Sequence, residues 1–419
     1  MMTRRQLFEW LALANCTFML SGAITTLTLT PGDTALEGNA LGRLMLSVSY
    51  FLVALTLIAC RREAVLAVQR NWTLAALVVL AFASCLWAET PAFTFRRCIA
   101  VTGATLFGVA LAVKLTLEEQ LRMLSWIFRG IAILSLACVI FLPSYGISVS
   151  EEQEWRGVFG YKNAFGAMMA ISLLVEWQLP TRGRRQKVFN VAAMLLSAVL
   201  LFFSNSVTPM TALAGAFILV GIYNFSILRL RMPLYATVLA TLVIFGLGFA
   251  LVAPQSEAFA ALLGRSTDLT GRTEIWRWVI AFIQERPILG YGYSGFWSAS
   301  AESDTLERAI GRHLYSHNGY LDTILTLGAL GLSLALIFIG TGVKRAYGWS
   351  QHKESRTNLW PVALLSYFLL FNMGECTIFL QDLQWALCVA AVAGSDLALF
   401  APEANLGEGS LFMAADSLE

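Results

Sequence analysis

Histidine is scarce in this sequence: His313, His317 and His352 are the three in 419 residues. His317 opens the stretch "HNGYLDTILTLGALGL", with Asn318 beside it and Asp322 one helical turn on, where an apolar run begins. Imidazole is the side chain suited to taking and returning a proton near neutral pH. Asp322 is placed to orient or charge it, or to cap the apolar segment. Cations are the second group. "LLGRSTDLTGRTEIWRWVIAFIQERPILGYGYSGFW" carries Arg265 and Arg272, and "EEQEWRGVFGYKNAFG" carries Arg156 and Lys162 among glycines. Arginine and lysine with one histidine, and with no cysteine or carboxylate cluster of ligand spacing, point to an anionic substrate handled without a metal or other cofactor.

These residues need elements to hold them. Thr270 or Thr273 can cap a helix running to about Glu285, where Pro287 stops it. Ile275, Trp278, Val279 and Phe282 fall on one face of that helix, which predicts an amphipathic helix at a membrane surface. Arg272 falls in its first turn, where the helix dipole disfavours a cation unless an anion is near. A diphosphate would satisfy both the arginine and the exposed amides.

The rest of the chain is apolar. Hydrophobic residues make up 57%, charged residues 13%, and mean hydropathy is +0.67. Runs long enough to cross a bilayer as helices recur throughout. The expected spans are 8–30, 41–60, 72–88, 98–114, 124–142, 164–179, 188–204, 211–228, 233–253, 318–341, 359–375 and 383–400. The chain therefore reads as an all-α polytopic membrane protein with about 12 transmembrane helices. Residues 1–400 form one transmembrane domain, 254–317 a long loop within it, and 401–419 a disordered tail. Basic residues concentrate in alternate short loops, which places both ends in the cytoplasm and the long loop outside. Two arginines, Arg96 and Arg97, open the fourth span, and Arg129 is explained by snorkelling to the inner surface. Net charge of +2 leaves no nucleic-acid footprint. Gly328 and Gly331 read as close helix packing.

Four segments resemble the O-antigen ligase and polysaccharide polymerase superfamily, and most of all its exopolysaccharide polymerase (ExoQ-like) branch. "RGVFGYKNAFG" is similar to that branch's Arg-Gly-x-Phe-Gly-x-Lys-Asn motif, and "GRTEIWRWVIAFIQERPILGYGYSGFW" to its long outward loop. "HNGYLDTILTLGALG" matches a His-Asn, nine-residue, Gly-x-x-Gly pattern, and "FNMGECTIF" an Asn-x-x-Glu element. One departure stands out: where ligases carry a second arginine in Ser-x-Ser-Arg-Thr, this chain has "SNSVTPM", with Val207 at that place.

The resemblance implies a GT-C-like, metal-independent glycosyl transfer on the periplasmic face of the bacterial inner membrane. The donor would be an oligosaccharide on undecaprenyl diphosphate and the acceptor a sugar hydroxyl. The bilayer is a further partner, and a flippase and a chain-length regulator are others the pathway implies. His317 would be the catalytic base and Arg272 would hold the diphosphate. Arg156 and Lys162 are the candidates to replace the missing arginine, with Arg265, Asn318 and Asp322 completing the substrate contacts. Polymerase is the first reading. Ligase transfer of a finished glycan to lipid A core or to protein is the second. A lipid-linked oligosaccharide transporter or flippase is the third, and it finds few ionisable residues at the midplane to work with.

Overall fold

A computed structural model describes residues 3–23, 40–148, 153–181, 183–230, 232–233, 236, 272–298, 303, 315–350 and 356–400. Every regular element among them is helical. In chain order these are α1 (Arg4–Leu20), α2 (Ala40–Ala59), α3 (Arg61–Arg70), α4 (Trp72–Ala83), α5 (Pro91–Lys114), α6 (Leu117–Phe141), the single turn α7 (Pro143–Gly146) and α8 (Lys162–Gln178). They continue as α9 (Arg184–Phe203), α10 (Val207–Tyr223), α11 (Arg272–Glu285), α12 (Gly319–Ser350), α13 (Trp360–Phe371) and α14 (Leu383–Phe400).

Each expected span except 233–253, nearly all of which lies outside the described residues, overlaps one of these helices; residues 24–30 of the first also lie outside the described residues. The boundaries moved where capping chemistry outweighed hydropathy. Span five begins at Leu117 because the Thr116 hydroxyl and the Glu119 carboxylate form a reciprocal capping box. Span four begins at Pro91, a residue preorganised for the first helical position. Among the described residues, six helices are long and apolar enough to cross a membrane: α2, α5, α6, α9, α10 with its extension to Ser226, and α12. A seventh span results if α3 and α4, bent by 86°, count as one. The protein is an α-helical, multi-pass membrane protein.

Polar groups tie the helices where lipid cannot. Ser172 meets Ser197 at 2.9 Å between α8 and α9, and the Trp385 indole donates to Thr105 at 2.9 Å between α14 and α5. Such bonds contribute roughly 0.6–2 kcal/mol each in a bilayer. Arg129 does not snorkel. Its guanidinium grips Glu176 through Nε at 2.9 Å and Nη2 at 2.6 Å, with Nη2 also on Asn190 at 2.7 Å, while Ser125 donates to the same carboxylate. Glu176 is fully buried, so the pair joins α6, α8 and α9 through matched charge.

α12 is broken at Gly328, whose φ of +68° and ψ of −174° interrupt the helix. The chain after Pro287 fills the break: Tyr291 and Gly292 donate to the carbonyls of Leu325 and Thr326, both at 2.9 Å, and Ala329 donates to Pro287 at 2.8 Å. A Cβ at Gly328 would run into the Ile288 carbonyl. This glycine therefore serves a loop-to-helix junction rather than the helix packing its spacing predicts.

Candidate functional site

Several of the helix ends expected outside meet one another. The organising element is the turn after α13. Asn372 folds it: its Oδ1 accepts from the Thr377 and Ile378 amides at 2.8 and 3.0 Å, and its Nδ2 donates to Phe368 and Thr377, both at 2.8 Å. The Gly319 amide then donates to the carbonyls of Asn372 at 2.8 Å and Glu375 at 2.9 Å, fastening this turn to the start of α12. Glu375 is thereby held against the His317 turn.

Three side chains converge on the Glu375 carboxylate. Asn163 donates to Oε1 at 2.5 Å, Arg272 reaches Oε1 at 3.3 Å, and Oε2 lies 3.6 Å from His317 Nδ1. Arg272 and Glu375 are mostly covered, at 18% and 14% exposure, and His317 is 30% exposed. His317 Nδ1 is buried without a hydrogen bond, and the residue has φ of +49°, so the backbone turns sharply to aim the ring at this carboxylate. Ser206 donates to Asn163 Oδ1 at 2.7 Å, which fixes the amide so that its NH₂ faces Glu375.

These residues share a location on their helices. Asn163 is in the first turn of α8, Ser206 immediately precedes α10, Arg272 is the first residue of α11, and His317 and Asn318 immediately precede α12. Residues at or just before four helix N-termini thus meet one another, so the positive ends of these helices lie beside the cluster. The anion that the Arg272 position requires is Glu375, and the same place suits a phosphate oxygen. Gly374 leaves the room: a Cβ there would lie 2.8 Å from the Thr208 methyl and 3.2 Å from Arg272 Nη1.

The other expected site residues are placed as follows. Asn318 caps α12, its Oδ1 accepting from the Tyr320 and Leu321 amides at 3.1 Å each. Asp322 accepts from the Trp297 indole at 2.8 Å and from Ser316 at 3.2 Å, holding the wall on which the His317 turn rests. Lys162 pairs with Glu154 at 2.5 Å. Arg156 donates to the carbonyls of Tyr145 and Ser144 at 2.9 and 3.2 Å, at the end of α7. Arg265 and His313 lie outside the described residues. The α11 helix has the expected apolar face, but protein covers it: Ile275, Val279 and Phe282 pack on Tyr291, Phe296, Trp297 and Leu325. The Trp276 indole donates to the Ser316 carbonyl at 2.8 Å, which locks α11 to the histidine turn.

Asn163 and Glu375 are the positions of this cluster that site reasoning from sequence left out. Their signals were present, as the last residue of the Arg-Gly-x-Phe-Gly-x-Lys-Asn motif and as the glutamate of Asn-x-x-Glu. Around them Tyr161 and Met373 are exposed and Tyr315 stands edge-on to His317, with ring centroids 6.5 Å apart. Burial pushes the Tyr315 hydroxyl above the ordinary tyrosine range. Among the described residues no three of histidine, cysteine, aspartate and glutamate assemble as metal ligands.

Comparison with known proteins bears on this geometry. The profile of the O-antigen ligase family matches residues 192–336, a segment holding Arg272, His317, Asn318 and Asp322. Over 337 residues the chain is 22% identical to the exopolysaccharide production protein ExoQ of Rhizobium meliloti (strain 1021), covering 72% of this chain and 76% of that protein. Over 267 residues it is 23% identical to a candidate polysaccharide ligase of Rickettsia felis, covering 62% of this chain and 64% of that one. The chain is thus a multi-pass membrane enzyme of the glycosyltransferase type, and over residues 192–336 it resembles the O-antigen ligase family.

Proposed function

We propose that this protein is a bacterial polysaccharide polymerase of the inner membrane, transferring glycan from undecaprenyl-diphosphate-linked repeat units to an acceptor sugar hydroxyl on the periplasmic face, without a metal. The observation that carries the reading is the Arg272–Glu375–His317 arrangement at four converging helix N-termini. His317, with its Nδ1 proton directed at Glu375, takes the acceptor hydroxyl's proton on Nε2. The acceptor oxygen bonds to the anomeric carbon as the bond from that carbon to the diphosphate oxygen breaks. The diphosphate gains negative charge as it leaves, and Arg272 with the positive helix ends stabilises it. Glu375 occupies the cationic seat in the free protein. Arrival of the donor would draw Arg272 to the diphosphate and leave Glu375 to His317.

Polymerase is preferred over ligase on two sequence features: the "RGVFGYKN" segment, and Val207 where ligases carry an arginine. Purified protein with defined lipid-linked repeat units, with and without chelator, tests the reading. Lengthening of the glycan insensitive to chelator is expected, together with a loss of about 10²–10⁴-fold in His317→Ala. Full-length polymer from His317→Ala at normal expression would remove the histidine from the mechanism.

A further inference from the structure

Arg97 lies near the start of α5, and its position sets it apart from the other arginines. Charges within membrane helices are costly and are met by partners. Lys114 has Glu9 at 3.0 Å, Arg129 has Glu176 at 2.6 Å, and Arg345 has Asp396 at 3.5 Å. Arg97, half-buried, has no hydrogen bond or ion pair among the described residues. Its neighbour Arg96 is exposed and lies over the Phe93 ring at 5.8 Å, where lipid headgroups can satisfy it. Arg97 sits on a different face, shared with Thr94 at i and i+3.

That face turns inward, against the wall of the site. Thr94 is fully buried and packs on Gly295, and its hydroxyl has no hydrogen-bond partner. The segment it touches is anchored to this part of the fold by the Tyr293 amide on Ser84 at 2.9 Å and by Thr90 against Ser298 at 2.5 Å. The same segment ends in Trp297, whose ring lies 6.4 Å from Tyr315, and Tyr315 lies 6.5 Å from His317. Arg97 flanks the buried stripe of α5 formed by Thr94, Cys98 and Val101, and its charge acts on the Tyr293 and Tyr315 hydroxyls, which puts it on the protein side of the helix. A half-buried cation with no hydrogen bond or ion pair among the described residues, beside aromatic rings, is suited to an anionic ligand.

Building on the glycosyl-transfer reading, we infer that Arg97 is a second anion-binding residue of this site, holding a negatively charged group of the lipid-linked glycan on the Tyr315 side. Two sources present such a group: the donor's diphosphate, or an acidic sugar in the repeat unit. The guanidinium fork can bind either one bidentately.

Binding to detergent-purified full-length protein tests this without turnover, using three probes: undecaprenyl diphosphate, a lipid-linked repeat unit of neutral sugars, and one bearing a uronic acid. Arg97→Gln is expected to bind about 10–100-fold more weakly wherever the contact is made, as for other charge-assisted bonds. Weakening for all three probes assigns Arg97 to the diphosphate. Weakening for the uronic acid probe alone assigns it to the sugar. Undiminished affinity for all three overturns the inference. If Arg97→Gln fails to fold, Arg97→Lys carries the test, with several-fold weakening expected and unchanged affinity for all three probes overturning it. Absence of transfer by the wild-type protein would sink the proposed reaction, while undiminished binding by the variants sinks only the role of Arg97.

Discussion

Glu375 stands between Arg272 and His317, with one carboxylate oxygen 3.3 Å from the guanidinium and the other 3.6 Å from the imidazole Nδ1. A single side chain thus touches both the proposed base and the proposed diphosphate ligand. If it orients the histidine, Glu375→Gln keeps the shape and the Asn163 contact but loses the charge that supports the imidazolium. Turnover is expected to fall about 10²-fold, as for orienting carboxylates elsewhere, with the acceptor KM nearly unchanged. A rise in KM at constant kcat would instead make Glu375 a substrate-binding group.

Arg272 offers a planar fork at the first residue of α11, 3.3 Å from the Glu375 carboxylate. Arg272→Lys keeps the charge but not the fork. Steady-state assays with lipid-linked donor should show kcat/KM about 10–100-fold lower for both Arg272→Lys and Arg272→Gln, with Lys retaining more. Equal activity in Arg272→Lys and wild type would reduce the residue to a point charge.

Gly328 carries a structural prediction. Its φ of +68° and the Ile288 carbonyl beside it leave no place for a side chain. Gly328→Ala should destabilise the junction by at least about 1–3 kcal/mol from backbone strain alone, read as a lower melting temperature in detergent. Activity should fall with it, because the same chain carries Trp297 towards Asp322. A variant that melts like wild type would place the break elsewhere.

Asp382 precedes α14, and its Oδ1 accepts from the Trp385 amide at 2.7 Å. Burial pushes its carboxyl up to about 7, against the partial opposition of the Trp385 and Gln384 amides. A folded-state value above the unfolded one means the stabilising contribution is full below about pH 4 and disappears as pH rises through about 7. Asp382→Asn imitates the protonated form and can keep the cap. It should match the wild-type melting temperature at pH 4 and exceed it at pH 8, and a difference that is constant with pH would contradict the assignment.

Much of this protein was written in local sequence. Apolar runs of bilayer length must become helices, because lipid offers nothing else to backbone amides and carbonyls. The Thr116–Glu119 box, Pro91 and the apolar face of α11 likewise depend on neighbours a few residues away. His317 was visible as a rare residue type at a helix mouth, and Arg272 as a cation in a first helical turn. The partners were not, since they follow from packing between segments far apart in the chain. Arg272 meets Glu375 across 103 residues and Asn163 meets it across 212. No local spacing encodes those distances, nor that Arg156 turns back on its own loop, that Arg129 finds Glu176, or that Arg97 has no ion pair among the described residues. Local chemistry determined which residues could act. The helix packing decided which of them share a carboxylate, because only tertiary contacts bring four helix N-termini to one point.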